Sequence, residues 1–186
     1  MSSNHARLAA LLCAILAAAA LRLVPHPPNF SPIDAMALFS GAYLSRRALA
    51  FVAPLGALLL SDLVLGFYHG MATVYFSIAL VTIIGMTVLK RRSVLRVGAA
   101  ALASSVLFFV ITNLGMWLYS GLYPRTFAGL EACFVAAIPF FQNTVAGDLF
   151  YAAVLFGGFR ALELLLPPLR AGEAQPAWVA SWTASR

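Results

Sequence analysis

Apolar runs alternate with short polar or basic breaks along nearly the whole chain. The runs cover residues 6–21, 34–44, 48–66, 71–89, 97–119 and 144–166, and each is predicted to be a helix. About 20 apolar residues cross a hydrocarbon core of about 30 Å, so a bundle of six spans accounts for most of the chain. The run 34–44 is short for a span. It has to be thinly exposed to lipid, or tilted little and packed beside longer neighbours. A further apolar stretch, 127–141, is also too short to cross. It is expected to be an interfacial or partly re-entrant segment, a place where backbone lines a cavity.

The breaks carry their own signals. Between the first two runs lies RLVPHPPNFSP, where Pro25, Pro27, Pro28 and Pro32 exclude a continuing helix, because proline lacks a donor and disfavours helix in the residue before it. A rigid loop bearing His26, Asn29 and Phe30 is expected. Ser31-Pro32-Ile33-Asp34 reads as a helix start, with serine as the cap, proline at the first position and a carboxylate in the first turn. On that reading Asp34 is a capping residue. Pro167-Pro168 stops the last run, and residues 170–186 form a polar tail whose Trp178 and Trp182 are expected to rest on the membrane surface.

Composition turns this pattern into a class. Hydrophobic residues make up 62% of the chain and charged residues 10%, against about 25% charged in a soluble domain. An all-α membrane protein with one bundle domain, 1–169, is the expectation. The net charge of +6 does not mark a nucleic-acid surface, because the basic residues sit in short clusters between apolar runs. Alternate loops place Arg7, Arg46, Arg47, Lys90, Arg91, Arg92, Arg96, Arg170 and Arg186 on one side and only Arg22 and Arg125 on the other. By the positive-inside rule both termini are cytoplasmic, in a multi-pass protein of the cytoplasmic (inner) membrane.

The side with few charges is the elaborate one. It holds His26, Asn29, Phe30, Asp62, Tyr68, His69, Tyr75, Asn113, Trp117, Tyr123, Arg125, Asn143 and Asp148. The stretch PFFQNTVAGD, residues 139–148, packs an amide pair, a hydroxyl and a carboxylate into the entrance of the last run. An ionisable group in a hydrocarbon layer costs roughly 2.5–3.5 kcal/mol and usually faces a cavity or a partner. Aromatic and hydrogen-bonding groups at the mouth of an apolar bundle are the expected lining of a small-molecule site. The bland readings stand beside this one: Asp62 and Asp148 as caps or partners of Arg22 or Arg125, and His26 as a satisfied loop histidine.

Other features narrow the chemistry. Cys13 and Cys133 lie in apolar context without metal or disulfide spacing, as buried small hydrophobes do. No phosphate-binding glycine loop is present, so any use of ATP needs other chains. In the first run, read as a retained helix and not a cleaved signal peptide, Ala6, Ala10, Ala14 and Ala18 form one smooth stripe on which another helix can approach closely.

The blocks RLVPHPPNFSPI, ALFSGAYL, SDLVLGFYHGM, TNLGMWLY, YPRTFAGLEACFVAAIPFFQNT and GDLFY, across residues 22–157, resemble a family of uncharacterised bacterial six-span membrane proteins. In size, topology and alanine stripe the chain also looks like the S components of energy-coupling-factor (ECF) vitamin transporters, solitary cobalamin carriers among them. That resemblance implies a membrane-embedded subunit that binds a vitamin, a cofactor precursor or a metal ion at the outer face. Cobalamin is one candidate, with His26 or Cys133 to meet its cobalt. It further implies that Ala6, Ala10, Ala14 and Ala18 dock on a transmembrane coupling subunit, with ATPases on separate chains. The expected site residues are His26, Asn29, Phe30, Asp62, Tyr75, Asn113, Trp117, Arg125, Asn143 and Asp148, with no catalytic residue, resident metal or cofactor. The alternatives are a membrane-embedded metal-dependent enzyme using His26, Asp62, His69 and Asp148, and an accessory subunit packed against other membrane proteins.

Overall fold

A computed structural model describes residues 3–170, which are helical, with no strand among them. The expectations for the tail beyond Arg170 fall outside the described residues. The helices are α1 (Ser3–Leu21), α2 (Ile33–Tyr43), α3 (Arg47–Leu65), α4 (Met71–Val88), α5 (Val94–Tyr119) and α6 (Phe127–Ala152). A π-helical turn, Ala153–Gly157, joins α6 to α7 (Gly158–Leu165), and a short 3₁₀ turn, Pro167–Leu169, follows. Four helical stretches are long and apolar enough to cross a membrane: Arg47–Leu65, Met71–Val88, Val94–Tyr119 and the continuous run Phe127–Leu165. Large apolar side chains such as Val64, Leu102, Val106, Ile138 and Phe150 stay exposed along them, as a lipid-facing surface requires and a water-facing one avoids. This is a multi-pass membrane protein.

The fold is organised around a short helix, α2. Nine of the eleven residues of α2 are buried, and it touches α1, α3, α4, α5 and α6. At 1.5 Å per residue it is only about 17 Å long, so it is not laid against lipid; it fills the centre of the bundle. Its closest neighbour is α4, and two glycines make that approach possible. A Cβ on Gly85 would stand 2.5 Å from the Leu38 carbonyl oxygen, and one on Gly41 would run into the Thr82 carbonyl. Close backbone contact of this kind is how helices associate where burial from water no longer drives them together.

Three expectations need correction. Residues 127–141 are not a separate re-entrant segment: α6 runs unbroken through Pro139, Gln142, Asn143 and Thr144. Thr126 caps it, its hydroxyl accepting from the Gly129 amide at 3.2 Å, and Thr144 returns its own hydroxyl to the Phe140 carbonyl. The polar residues are thus accommodated inside the helix. With the π turn and α7 the run covers 39 residues, about 58 Å, nearly twice the thickness of a hydrocarbon core.

Secondly, the start of α2 is not capped as expected. Pro32 occupies the cap position and no side chain closes it; Ser31 Oγ and Asp34 Oδ1 are both buried without a hydrogen-bond partner. Thirdly, the alanine stripe faces inward. Ala18 is buried, and Ala10 and Ala14 pack against the same core as Leu11 and Ile15, while Cys13, Leu16 and Ala17 face out. Much of the smooth surface is thus used within the chain, where α1 meets α2 and α3.

The two ends of the bundle differ as the charges foretold. At one end Arg7 pairs with Glu163 at 2.8 Å, also reaching the Leu169 carbonyl. Arg92 lies 4.3 Å from the centre of the Tyr43 ring and donates to the Ala42 carbonyl at 2.8 Å. The opposite end carries the proline loop, the 66–70 turn and the 120–126 turn.

Candidate functional site

Two cavities meet at the sparsely charged end. The outer one, about 280 Å³, is lined by the start of α4, the second half of α5, the middle of α6 and the loops around Asn29 and Tyr68. Its walls carry Phe108, Phe109, Tyr119 and Phe140, with Thr73, Thr112, Asn113 and His69 as polar groups. Asn113 donates its amide to the Phe109 carbonyl one turn back at 2.7 Å, so its oxygen remains as an acceptor. Partial burial, and then the neighbouring Asp62 carboxylate, push the Tyr68 hydroxyl above its usual pKa; it meets a ligand as a neutral group.

The inner cavity, about 60 Å³, lies beside the first and shares Asn29, Phe108 and Thr144 with it. Ser31, Ile33, Asp34 and Asp148 complete its wall. Asp34 is 3% exposed and Asp148 2%, and their carboxyls stand within hydrogen-bonding reach of each other. Ser105 on α5 donates to Asp148 Oδ2 at 2.5 Å. Ser105 sits 14 residues from the end of α5 at Tyr119, about 21 Å along the axis. The carboxyl pair is therefore deep in the bundle and not at its mouth.

The proline loop builds one wall of both cavities. Phe30 donates its amide to the Pro27 carbonyl at 3.0 Å, closing a turn with Pro28 second and Asn29 third, where Asn29 takes φ +63°. Proline followed by a left-handed residue is the pattern of a type II turn, and asparagine tolerates that conformation. The loop then lies directly on α6, where a Cβ on Gly147 would stand 3.0 Å from the Ser31 nitrogen. Asn143 ties it down, donating to the Pro28 carbonyl at 2.9 Å, and Phe30 packs on the rings of Phe150 and Tyr151.

The expected site residues consequently separate. Asn29 and Asn113 line the outer cavity, and Asn29 and Asp148 the inner one. Phe30 and Asn143 hold the loop that forms the wall. Asp62 is fully buried in a cluster of its own: Arg22 donates to it at 2.9 Å and also to Ser61, and the Tyr75 hydroxyl donates to its other oxygen at 2.9 Å. Trp117 donates to the Pro124 carbonyl at 3.0 Å and Arg125 to the Leu118 carbonyl at 2.7 Å, so both fasten the 120–126 turn. His26 is exposed, its ring against the Pro27 carbonyl. Buried Cys133 donates to the Asn113 carbonyl. Among the described residues no three His, Cys, Asp or Glu side chains converge, so His26, Asp62, His69 and Asp148 do not form one centre. Missing from the expected set were Asp34, Ser31 and Ser105. A carboxylate and a serine pair inside apolar helices are the signal that could have found them.

A family model matches residues 2–169 and describes a family of unknown function, DUF6580. The chain belongs to DUF6580. No curated protein and no solved structure matches the chain. The match spans every helix described above, so both cavities and the proline loop lie within the DUF6580 region.

Proposed function

We propose that this protein is a membrane-embedded binding subunit that takes up a small molecule from the outer face. The observation that carries the reading is the outer cavity: an aromatic-walled vestibule with scattered amide, hydroxyl and imidazole groups, opening at the end with few basic residues. On the positive-inside rule that end faces outward, both termini face the cytoplasm, and the membrane is the inner one. Six helices then cross, with the buried α2 and the proline loop together making one passage; irregular backbone is tolerated at that depth because it lines a cavity. A cavity of about 280 Å³ suits a ring-bearing compound near the lower end of ligand-site sizes, held between Phe108, Phe109, Phe140 and Tyr119, in place of the Trp117, Phe30 and Tyr75 expected from sequence. A vitamin or cofactor precursor fits this description, cobalamin being far too large. The S-component likeness supplies the analogy for transport, with a coupling subunit and ATPases as partners on other chains; the inward-facing alanine stripe means that such a subunit would meet α1 through Cys13, Leu16 and Ala17.

The test is native mass spectrometry of the full chain, purified gently from its own host. A retained organic compound, lost in Asn113→Leu and kept in His26→Ala, supports the proposal. An empty vestibule in every preparation, with other membrane subunits co-purifying, would refute it and favour an accessory role.

A further inference from the structure

The inner cavity poses a charge problem. Asp34 and Asp148 come from different helices, both are almost fully buried, and they face each other. The other groups lining the cavity are Asn29, Ser31, Ile33, Phe108 and Thr144, so no basic side chain offsets them. By contrast, buried Asp62 has Arg22 at 2.9 Å. An ionised carboxylate in a low-dielectric interior is very costly unless paired.

Two fillings are possible, a shared proton or a bound cation, and the orphaned Ser31 hydroxyl decides between them. A proton held between the two carboxyls satisfies an oxygen on each acid, but it leaves Ser31 Oγ buried without a partner. A cation seated in the cavity coordinates Ser31 Oγ together with Asp34 and Asp148. About 60 Å³ is twice the share of one liquid water, enough for one small cation and a water. The donor set is oxygen throughout, which suits a hard ion or an ammonium group. Ser105 donates to one oxygen of Asp148, and with one of the two acids keeping its proton the site carries a single negative charge, which a monovalent ion balances.

We propose that the Asp34–Asp148 cavity is a monovalent-cation site, with Ser31, Asp34 and Asp148 as its ligands. The charge comes either from a free sodium ion or from the ammonium group of a compound in the adjoining vestibule. The second source rests on the binding reading above; the first does not.

The experiment measures thermal unfolding of the full chain in detergent, by tryptophan fluorescence, at constant ionic strength. N-methylglucamine chloride is replaced stepwise by sodium chloride or by methylammonium chloride. A saturable rise in Tm of about 5 °C is expected at a large excess over Kd. Sodium acting alone identifies a free ion, and methylammonium acting alone identifies a ligand head group. Asp34→Asn and Asp148→Asn should abolish the rise, and Ser31→Ala should shift its midpoint about tenfold. In N-methylglucamine alone Asp34→Asn should be no less stable than wild type, since it removes an uncompensated charge.

Equal Tm in all three media for the wild type would overturn the proposal, whatever the variants do. So would a rise that survives both Asn variants, or one produced by magnesium or calcium only. A compound retained in the vestibule with no cation effect sinks this inference alone; a sodium effect with an empty vestibule sinks the ligand reading alone.

Discussion

Arg22 is the residue whose loss should be felt most. Its side chain is 9% exposed, and the Asp62 carboxylate it meets is wholly buried. It donates to Asp62 at 2.9 Å, to the Leu58 carbonyl at 3.4 Å and to the Ser61 hydroxyl, joining the end of α1 to α3. Tyr75 brings in α4 by donating to the second Asp62 oxygen. Arg22→Met keeps much of the side-chain volume but leaves a buried acid with Tyr75 as its remaining donor. Removing one partner of a buried pair costs about 3–5 kcal/mol, and the charge-assisted bond to Asp62 accounts for about 2 kcal/mol of this. Asp62→Asn alone strands the guanidinium and should cost a similar amount. The double variant strands neither charge, so its loss should fall short of the summed single losses by at least about 2 kcal/mol. Equilibrium unfolding of the four proteins from mild detergent into SDS, followed by circular dichroism, measures this coupling. Additivity within about 0.5 kcal/mol would refute the claim that Arg22 and Asp62 act as one unit.

Gly85→Ala should destabilise the protein by about 1–3 kcal/mol in the same assay, because its Cβ would stand 2.5 Å from the Leu38 carbonyl of the central helix. Gly56→Ala, whose Cβ meets nothing within 4 Å, is the control and should be neutral or mildly stabilising. Gly147→Ala pushes on the backbone of Phe30 and Ser31; it should lower vestibule-ligand retention and the cation-dependent rise in Tm together, and an effect on neither would mean that the loop is not a wall of the site. In the oriented membrane, an exposed cysteine at His26→Cys should react with an impermeant maleimide from outside and one at Arg91→Cys should not; the reverse labelling would invert the topology.

Helix ends were readable because they are written in residues with local meaning. The predicted runs 48–66 and 71–89 match Arg47–Leu65 and Met71–Val88 within a residue, since Arg46, Gly66, Gly70 and the Lys90 cluster mark real breaks. Which face of each helix points inward was not readable. A helix that is apolar all round carries little amphipathic signal, so the alanine stripe of α1 and the lipid face of α5 look alike in sequence. The same blindness explains α6. In sequence a polar cluster reads as the entrance to a span, but in a helix lining a cavity polar groups belong in the middle.

Asp34 shows the limit most clearly, because its sequence context is that of a helix cap and only the fold reveals what it does. Serine and a carboxylate at a helix start satisfy orphan amides of that turn in most proteins, but here the turn lies inside the bundle, with Ile33 and Asp34 buried. Its Oδ1 makes no bond, although an acid in the first turn is favoured by the helix dipole. That partial compensation bears on how the bundle can hold two acids side by side. One of the pair draws on the N-terminus of α2, the other on the Ser105 hydroxyl, and neither source supplies a full positive charge. Asp62, with Arg22 beside it, needs nothing from outside the chain. The four buried acids among the described residues thus divide into two that are closed by arginine, Asp62 with Arg22 and Glu163 with Arg7, and an open pair that calls for a cation and adjoins the vestibule.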